Sequence, residues 1–191
     1  RDAVPRHRSM TAAFDHSWRL LSTRQRSILR QLAVFRGGFT REAAQEVAGA
    51  ALAELADLAD ASWLRLAPTG RYDLHELIHQ YAFTKLQTDP GEERAASEKH
   101  ALYYAEWIAS LEASFKSAKQ PQTSQLIRSE TSNWLAGWHW SVEMQRLEVL
   151  RKISPCLNWY FEVHGYYDEA LSAFTAALNK FRASGAPDSL K

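Results

Sequence analysis

The feature that most constrains the fold of this chain is a change of sequence period from helical to strand-like. Trp63-Leu64-Arg65-Leu66 and Arg71-Tyr72-Asp73-Leu74 have the pattern of two short strands, and Pro68-Thr69-Gly70 between them is a turn signal. The segments before residue 62 have helical spacing, and a further helix, about His75–Gln87, follows the hairpin. Helices followed by a two-stranded hairpin predict a winged helix-turn-helix domain.

Four helices are predicted ahead of the hairpin. Ser9, Ser22 and Thr40 are the predicted N-caps of the first three, because a hydroxyl oxygen accepts a backbone N–H at a helix start. The third helix covers Arg41–Ala48, and the fourth covers about Ala51–Ala61. The predicted buried stripe of the second helix is Ile28, Leu29, Leu32, Ala33 and Phe35.

The predicted domain boundary is Asp89-Pro90-Gly91, because proline disfavours helix in the residue before it. Residues 1–89 would form the winged-helix domain with its exit helix. Residues 90–191 would form a helical linker bundle and the start of a repeat array. The fold class is therefore mainly α. The helices predicted in the second domain are Glu92–Ser117, Thr123–Met144, Leu147–Val163 and Tyr167–Ala183.

The residues after Gly165 resemble part of a tetratricopeptide repeat. The run 165–171 resembles the middle and second helix of that repeat, in which small alanines allow close helix approach. The pattern continues at Phe174, Ala177 and Leu178. Ser154 and Asn158 stand where the first helix usually has Trp and Gly, so the unit is atypical. The resemblance implies an antiparallel helical array, continued by further repeats, that receives a protein or small-molecule signal.

Residues 75–79 match H-E-x-x-H, the zinc-metalloprotease signature. His75 and His79 would share one helical face and could bind zinc, while Glu76 could act as general base. A catalytic zinc needs a third protein ligand, but residues 80–83 contain no histidine. The candidate carboxylates lie beyond the predicted boundary: Glu92, Glu93 and Glu98. We expect no metal site, and a zinc metalloprotease is the least favoured alternative.

A second explanation of the same residues uses more of the sequence. The run Tyr72–Ala82 resembles the end of the winged helix in STAND-class P-loop ATPases, which include NB-ARC proteins and many bacterial regulators. Leu74-His75-Glu76 stands where that class has Met-His-Asp, with two conservative departures. Further runs at 5–18, 20–22 and 32–44 resemble the same class, so the resemblance covers about residues 5–87.

The resemblance implies a nucleotide-sensing role for His75, supported by Leu74 and Glu76. His75 would contact the β-phosphate of ADP held by an upstream nucleotide-binding domain of the full-length protein, through a charge-assisted hydrogen bond. The alternative is that His75 only joins strand to helix. The chain has no G-x-x-x-x-G-K-[ST] loop, so we expect no cofactor and no enzyme activity in this segment itself. ADP or ATP is expected in the full-length protein.

A DNA-binding winged-helix transcription regulator is the main rival interpretation. The fourth helix would enter the major groove, and its predicted exposed face carries Glu54, Asp57 and Asp60 with no basic partner. These carboxylates would be repelled by phosphates, so we do not expect nucleic-acid binding through this segment. The predicted buried face of that helix is Leu52, Leu55, Leu58 and Ala59.

The net charge of +1 hides a basic N-terminal stretch. Nine arginines and only two acidic residues fall within residues 1–41. The basic face is either a domain-docking surface or is paired within the chain; its residues are Arg6, Arg8, Arg24, Arg26 and Arg30. Cys156 cannot form an internal disulfide, and a buried thiol is expected there. No membrane span or signal peptide is evident, so the expected location is cytoplasmic.

Two tryptophans one helical turn apart, Trp134 and Trp138, are predicted core residues. Glu130 and Asn133 also occur in the linker helices of the same bacterial regulators, but the resemblance assigns them no role. Taken together, these features predict a regulatory, non-catalytic segment of a signal-transducing ATPase. It would sense the nucleotide state through its first domain, and its second domain would bind a partner.

Overall fold

The computed structural model describes residues 14–183 of the 191-residue chain. The chain divides into two compact units between His100 and Ala101, later than the predicted boundary at 89–90. Residues 90–100 therefore belong to the first unit. The predicted N-cap Ser9 lies outside the described residues. In the described range, no helix combines the length and the apolar character needed to cross a membrane.

The first unit opens with three short helices after a helix, α1, whose described part covers residues 14–20. These are α2 (Thr23–Leu32), α3 (Arg41–Ala48) and α4 (Leu52–Asp60). The predicted caps of α2 and α3 are confirmed: the Ser22 hydroxyl accepts the Gln25 N–H in a capping box, and the Thr40 hydroxyl accepts the Ala43 N–H.

The hairpin consists of β1 (Arg65–Leu66) and β2 (Tyr72–Asp73), paired antiparallel with Arg65 opposite Asp73. Each strand is shorter than the four residues that the sequence pattern predicts. The predicted turn is confirmed, since Gly70 has φ +78° and donates its N–H to the Ala67 carbonyl. Phe39 adds a third pairing, because it exchanges backbone hydrogen bonds of 2.8 and 2.9 Å with Tyr72. The hairpin is thereby fastened to the segment between α2 and α3.

The exit helix α5 (Glu76–Leu86) is followed by α6 (Pro90–Ser110). The predicted buried stripe of α2 is confirmed, since all five of its residues are fully buried. An aromatic cluster of Phe14, Trp18, Trp63 and Tyr81 joins α1, the hairpin start and α5, with ring centroids 5.4–6.1 Å apart. The order of helices, hairpin and exit helix agrees with the winged-helix pattern. Assignment to that class remains a prediction.

Up to residue 183, the second unit contains the end of α6 and five further helices. These are α7 (Glu112–Phe115), α8 (Gln120–Ser129), α9 (Thr131–Glu143), α10 (Leu147–His164) and α11 (Tyr167–Ala183). The prediction of one helix over Thr123–Met144 is wrong, because the chain turns at Glu130 and forms two helices. The predicted helix Glu92–Ser117 is interrupted at Leu111. Pro121 lies in the first turn of α8 instead of breaking a helix, and proline is tolerated at that position.

The mainly helical fold class is confirmed. Trp134 and Trp138 are both buried core residues, as predicted. The Cys156 thiol is also buried, and this burial raises its pKa to about 11. Gly165, with φ +69°, ends α10 in the left-handed conformation. The tetratricopeptide character of these helices remains a prediction.

Candidate functional site

His75 lies at the junction between strand β2 and helix α5. It is the N-cap residue of α5, with φ −57° and ψ 141°. Its Nδ1 accepts the backbone N–H of Leu77 at 3.3 Å, so one ring nitrogen is held by the helix terminus. The side chain is exposed, and its Nε2 makes no hydrogen bond within the described range. The ring can therefore offer Nε2 to a group outside this chain.

The two flanking residues differ in environment. Leu74 is half-buried beside the hairpin, whereas Glu76 is exposed in the first turn of α5. The Glu76 carboxylate accepts a hydrogen bond of 2.7 Å from the Gln80 amide one turn later. A carboxylate at this end of a helix is stabilised by the helix dipole. Glu76 therefore helps to define the start of the helix that carries His75.

His79 contacts the segment that follows α2. Its Nε2 lies 3.0 Å from the Phe35 carbonyl oxygen, and its ring stacks on Phe83 with centroids 6.2 Å apart. Arg36 lies over the same Phe83 ring at 4.9 Å. The second histidine of the H-E-x-x-H pattern is thus engaged in packing between α5 and α2. Within residues 14–183, no three His, Cys, Asp or Glu side chains are grouped so that they could hold a metal ion.

Two arginines of the predicted basic face form ion pairs within the first unit. Arg30 binds Glu92 with Nε–Oε2 2.8 Å and Nη2–Oε1 3.2 Å, and Arg24 binds Glu54 at 2.8 Å. Arg26 is half-buried on the same helix. Arg6 and Arg8 lie outside the described residues. The contacts of Arg24 and Arg30 support the intramolecular alternative, and domain docking through this face remains a prediction.

The exposed face of α4 departs from the sequence expectation at two residues. Glu54 was expected to have no basic partner, but Arg24 reaches it from the neighbouring α2. Leu52 was expected to be buried, but it is the first residue of α4 and its side chain is 53% exposed. Asp57 and Asp60 are exposed as predicted. The face that would meet DNA therefore keeps two carboxylates, while Glu54 is neutralised locally.

The hairpin arginines are engaged in a similar way. Arg65 of β1 donates to both carboxylate oxygens of Asp73 on β2, at 3.0 and 2.7 Å. Arg71 donates to the Gly38 carbonyl at 2.6 Å. Each guanidinium thus fastens the hairpin to itself or to the segment before α3. The ion pair of Arg65 with Asp73 offsets one positive charge that the hairpin could present to a phosphate backbone.

Two polar clusters are evident only in three dimensions. In the second unit, the buried Glu130 carboxylate accepts hydrogen bonds from the Tyr104 hydroxyl and the Asn133 amide, both at 3.0 Å. In the first unit, Asp15 accepts from Tyr81 at 2.6 Å and from Lys85 at 3.0 Å. The spacing of Glu130 and Asn133 is a local signal. The sequence carries no comparable signal for the distant partners of Asp15 and Glu130, which lie 26 to 70 residues away.

Comparison with known proteins finds relatives that are named HTH-type transcriptional regulators. One from Mycobacterium bovis is 30% identical over 194 residues, which covers 95% of this chain and 21% of the relative. Two from Mycobacterium tuberculosis have the same identity and coverage. The chain thus spans about a fifth of the length of these relatives. No protein-family profile and no solved structure matches the chain.

These names describe the relatives as transcriptional regulators of the HTH type. They favour the transcription-regulator alternative over the ATPase interpretation, for which the comparisons give no support.

Proposed function

We propose that this chain is a regulatory, non-catalytic segment of a transcriptional regulator. In this proposal the first unit docks against another domain of the parent protein and responds to a nucleotide through His75. The second unit receives a protein or small-molecule signal. The similarity to regulators about five times as long supports placing the chain within a larger protein. The nucleotide-sensing part of the proposal comes from the sequence resemblance to STAND-class ATPases.

The observation that carries the nucleotide-sensing part is the geometry of His75. Nδ1 accepts from the α5 terminus, so in the neutral ring the proton is on Nε2, which is a donor. The exposed Nε2 has the chemistry to bind a phosphate oxygen, and the backbone N–H groups of the helix start favour an anion there.

Dissociation of a fluorescent ADP analogue from the longer parent protein tests this role. His75→Ala is expected to raise the dissociation rate by about ten- to a hundredfold, since a charge-assisted hydrogen bond contributes about 1.5–3 kcal/mol. His16→Ala is the matched control, because His16 is also an exposed histidine of the first unit. An ADP dissociation rate that His75→Ala leaves unchanged would remove the nucleotide-sensing proposal.

DNA binding by the first unit is the second candidate, and the names of the relatives favour it. The exposed carboxylates of Asp57 and Asp60 on α4 act against it, as does the pairing of Arg24 and Arg65 within the unit. Fluorescence anisotropy of a labelled duplex at low salt separates the candidates. DNA reading predicts binding that weakens steeply with salt and is lost in Arg26→Ala. Anisotropy that stays at the level of the duplex alone would exclude it.

A further inference from the structure

A cavity of about 400 Å³ opens among helices α9, α10 and α11 of the second unit. Its lining is mostly apolar and includes three aromatic rings, those of Trp138, Phe174 and Phe181. The rings of Trp138 and Phe174 meet edge to face, with centroids 5.3 Å apart and planes at 89°. The volume falls within the range of about 300–1,000 Å³ that is usual for sites that bind small molecules.

The cavity exists because small or rigid residues stand where larger ones would fill it. Ala177 on α11 contributes only a methyl group to the lining. Pro155 on α10 has a short ring and lacks the N–H that would continue the helical hydrogen bonds. Large apolar side chains, among them Leu150, form other parts of the lining. The small volume of the Ala177 and Pro155 side chains therefore leaves room for the cavity.

The polar groups of the lining come from one side of α10. Arg151 and Ser154 are three residues apart, which places them on neighbouring positions of one helix face. The Ser154 hydroxyl donates to the Leu150 carbonyl at 2.6 Å, so its oxygen can still accept a hydrogen bond. Arg151 also interacts within the chain, but a guanidinium carries five N–H donors and can bind a carboxylate in addition.

We propose that this cavity binds a small aromatic carboxylate. The ring would lie among Trp138, Phe174 and Phe181, where aromatic contacts favour an edge-to-face arrangement. The carboxylate would sit at the exposed side, paired with Arg151 through parallel N–H···O bonds. The inference rests on the proposed function, because such a molecule would be the signal received by the second unit.

Isothermal titration calorimetry of the 191-residue chain with 1-naphthylacetate, and with the neutral 1-naphthaleneethanol, tests the proposal. The wild type is expected to bind the acid roughly tenfold more tightly than the alcohol, a difference typical of one charged hydrogen-bonded pair. Arg151→Met is expected to abolish this preference while leaving binding of the alcohol unchanged. Ala177→Met fills the cavity and is expected to weaken both ligands, with folding checked by circular dichroism.

Arg182→Met is the matched control, because Arg182 is an exposed arginine of α11 outside the cavity lining. The proposal is overturned if the acid does not bind at millimolar concentration, if Arg182→Met loses as much affinity as Arg151→Met, or if folded Ala177→Met binds unchanged. Because Arg151 is exposed, we expect Arg151→Met to fold. The proposal can therefore still be tested with Arg151→Met if Ala177→Met does not fold. If the acid binds but His75→Ala does not change ADP release, the proposed ligand site stands. The nucleotide-sensing part of the proposed function is then removed.

Discussion

The guanidinium of Arg24 on α2 binds the carboxylate of Glu54 on α4, with Nε 2.8 Å from Oε1, and donates to the Gly49 carbonyl at 2.6 Å. Glu54 also accepts the backbone N–H of Ala51 at 2.8 Å. The hydrogen bond from Arg24, followed by that from Ala51, lowers the pKa of the Glu54 carboxyl. One contact thus joins two helices and removes a charge from each of the two surfaces that a docking or DNA-binding role would use.

A double-mutant cycle measures this coupling. Arg24→Met and Glu54→Gln are expected to show an interaction free energy of about 0.5–1 kcal/mol, because Arg24 is half exposed to solvent. The coupling should shrink in 1 M salt, where exposed charges are screened. Urea unfolding of the four proteins gives the value. Asp57→Asn replaces Glu54→Gln in the control cycle with Arg24→Met and is expected to show no coupling. A control coupling of equal size would refute a specific pair.

The Asp15 cluster makes the first unit sensitive to acid. Hydrogen bonds from Tyr81 and then Lys85 lower the pKa of Asp15 in the folded protein. A depressed pKa adds stability that is present above the unfolded value of about 4 and is lost as the pH falls through the folded value. Asp15→Asn is therefore expected to lower the melting temperature at pH 7 and to match the wild type near pH 2. Thermal unfolding across pH tests this.

Asp57→Asn is the control for the acid sensitivity, since Asp57 is an exposed carboxylate of the same unit. Its melting temperature is expected to follow the wild type at every pH. If Asp15→Asn also followed the wild type across the range, the contacts with Tyr81 and Lys85 would contribute nothing to stability.

Local signals predicted much of the fold. Ser22 and Thr40 cap α2 and α3 because their hydroxyls lie within three residues of the N–H groups they accept, so neighbouring residues carry the information. The turn at Gly70 needs a positive φ, which glycine adopts readily, so this feature also depends on local sequence. The junction at His75 was predictable for the same reason.

Long-range partners were not predictable in this way. Glu54 was assigned to an unpaired acidic face because Arg24 lies 30 residues away in sequence, and nothing in the helical period brings the two together. The pairing of Arg30 with Glu92 spans 62 residues. The break at Glu130 was not predicted because the apolar period runs through it, and the Glu130 carboxylate accepts a hydrogen bond from Tyr104, which lies on another helix. Tertiary contacts decided each of these cases.

The contact of His79 with Phe35 allows a direct test of the H-E-x-x-H pattern. We expect purified protein to contain less than stoichiometric zinc by elemental analysis, because His79 Nε2 is engaged with the Phe35 carbonyl. His79→Gln is expected to cost about 1 kcal/mol of unfolding free energy, equally with and without a chelator. His75→Gln serves as the comparison and should cost less, since its ring is exposed. One zinc per chain, with a chelator-dependent loss of stability, would restore the metal interpretation.

The buried Glu130 carboxylate is expected to be the most sensitive polar residue of the second unit. Glu130→Ala should lower the unfolding free energy by about 2–3 kcal/mol, because it removes two buried hydrogen bonds that the carboxylate accepts from Tyr104 and Asn133. Glu130→Gln keeps one acceptor oxygen and should lose less. Glu162→Ala, an exposed glutamate of α10, is the control and should change stability by under about 0.5 kcal/mol. Urea unfolding followed by tryptophan fluorescence reports all three, and equal losses for Glu130→Ala and Glu162→Ala would contradict a structural role for the carboxylate.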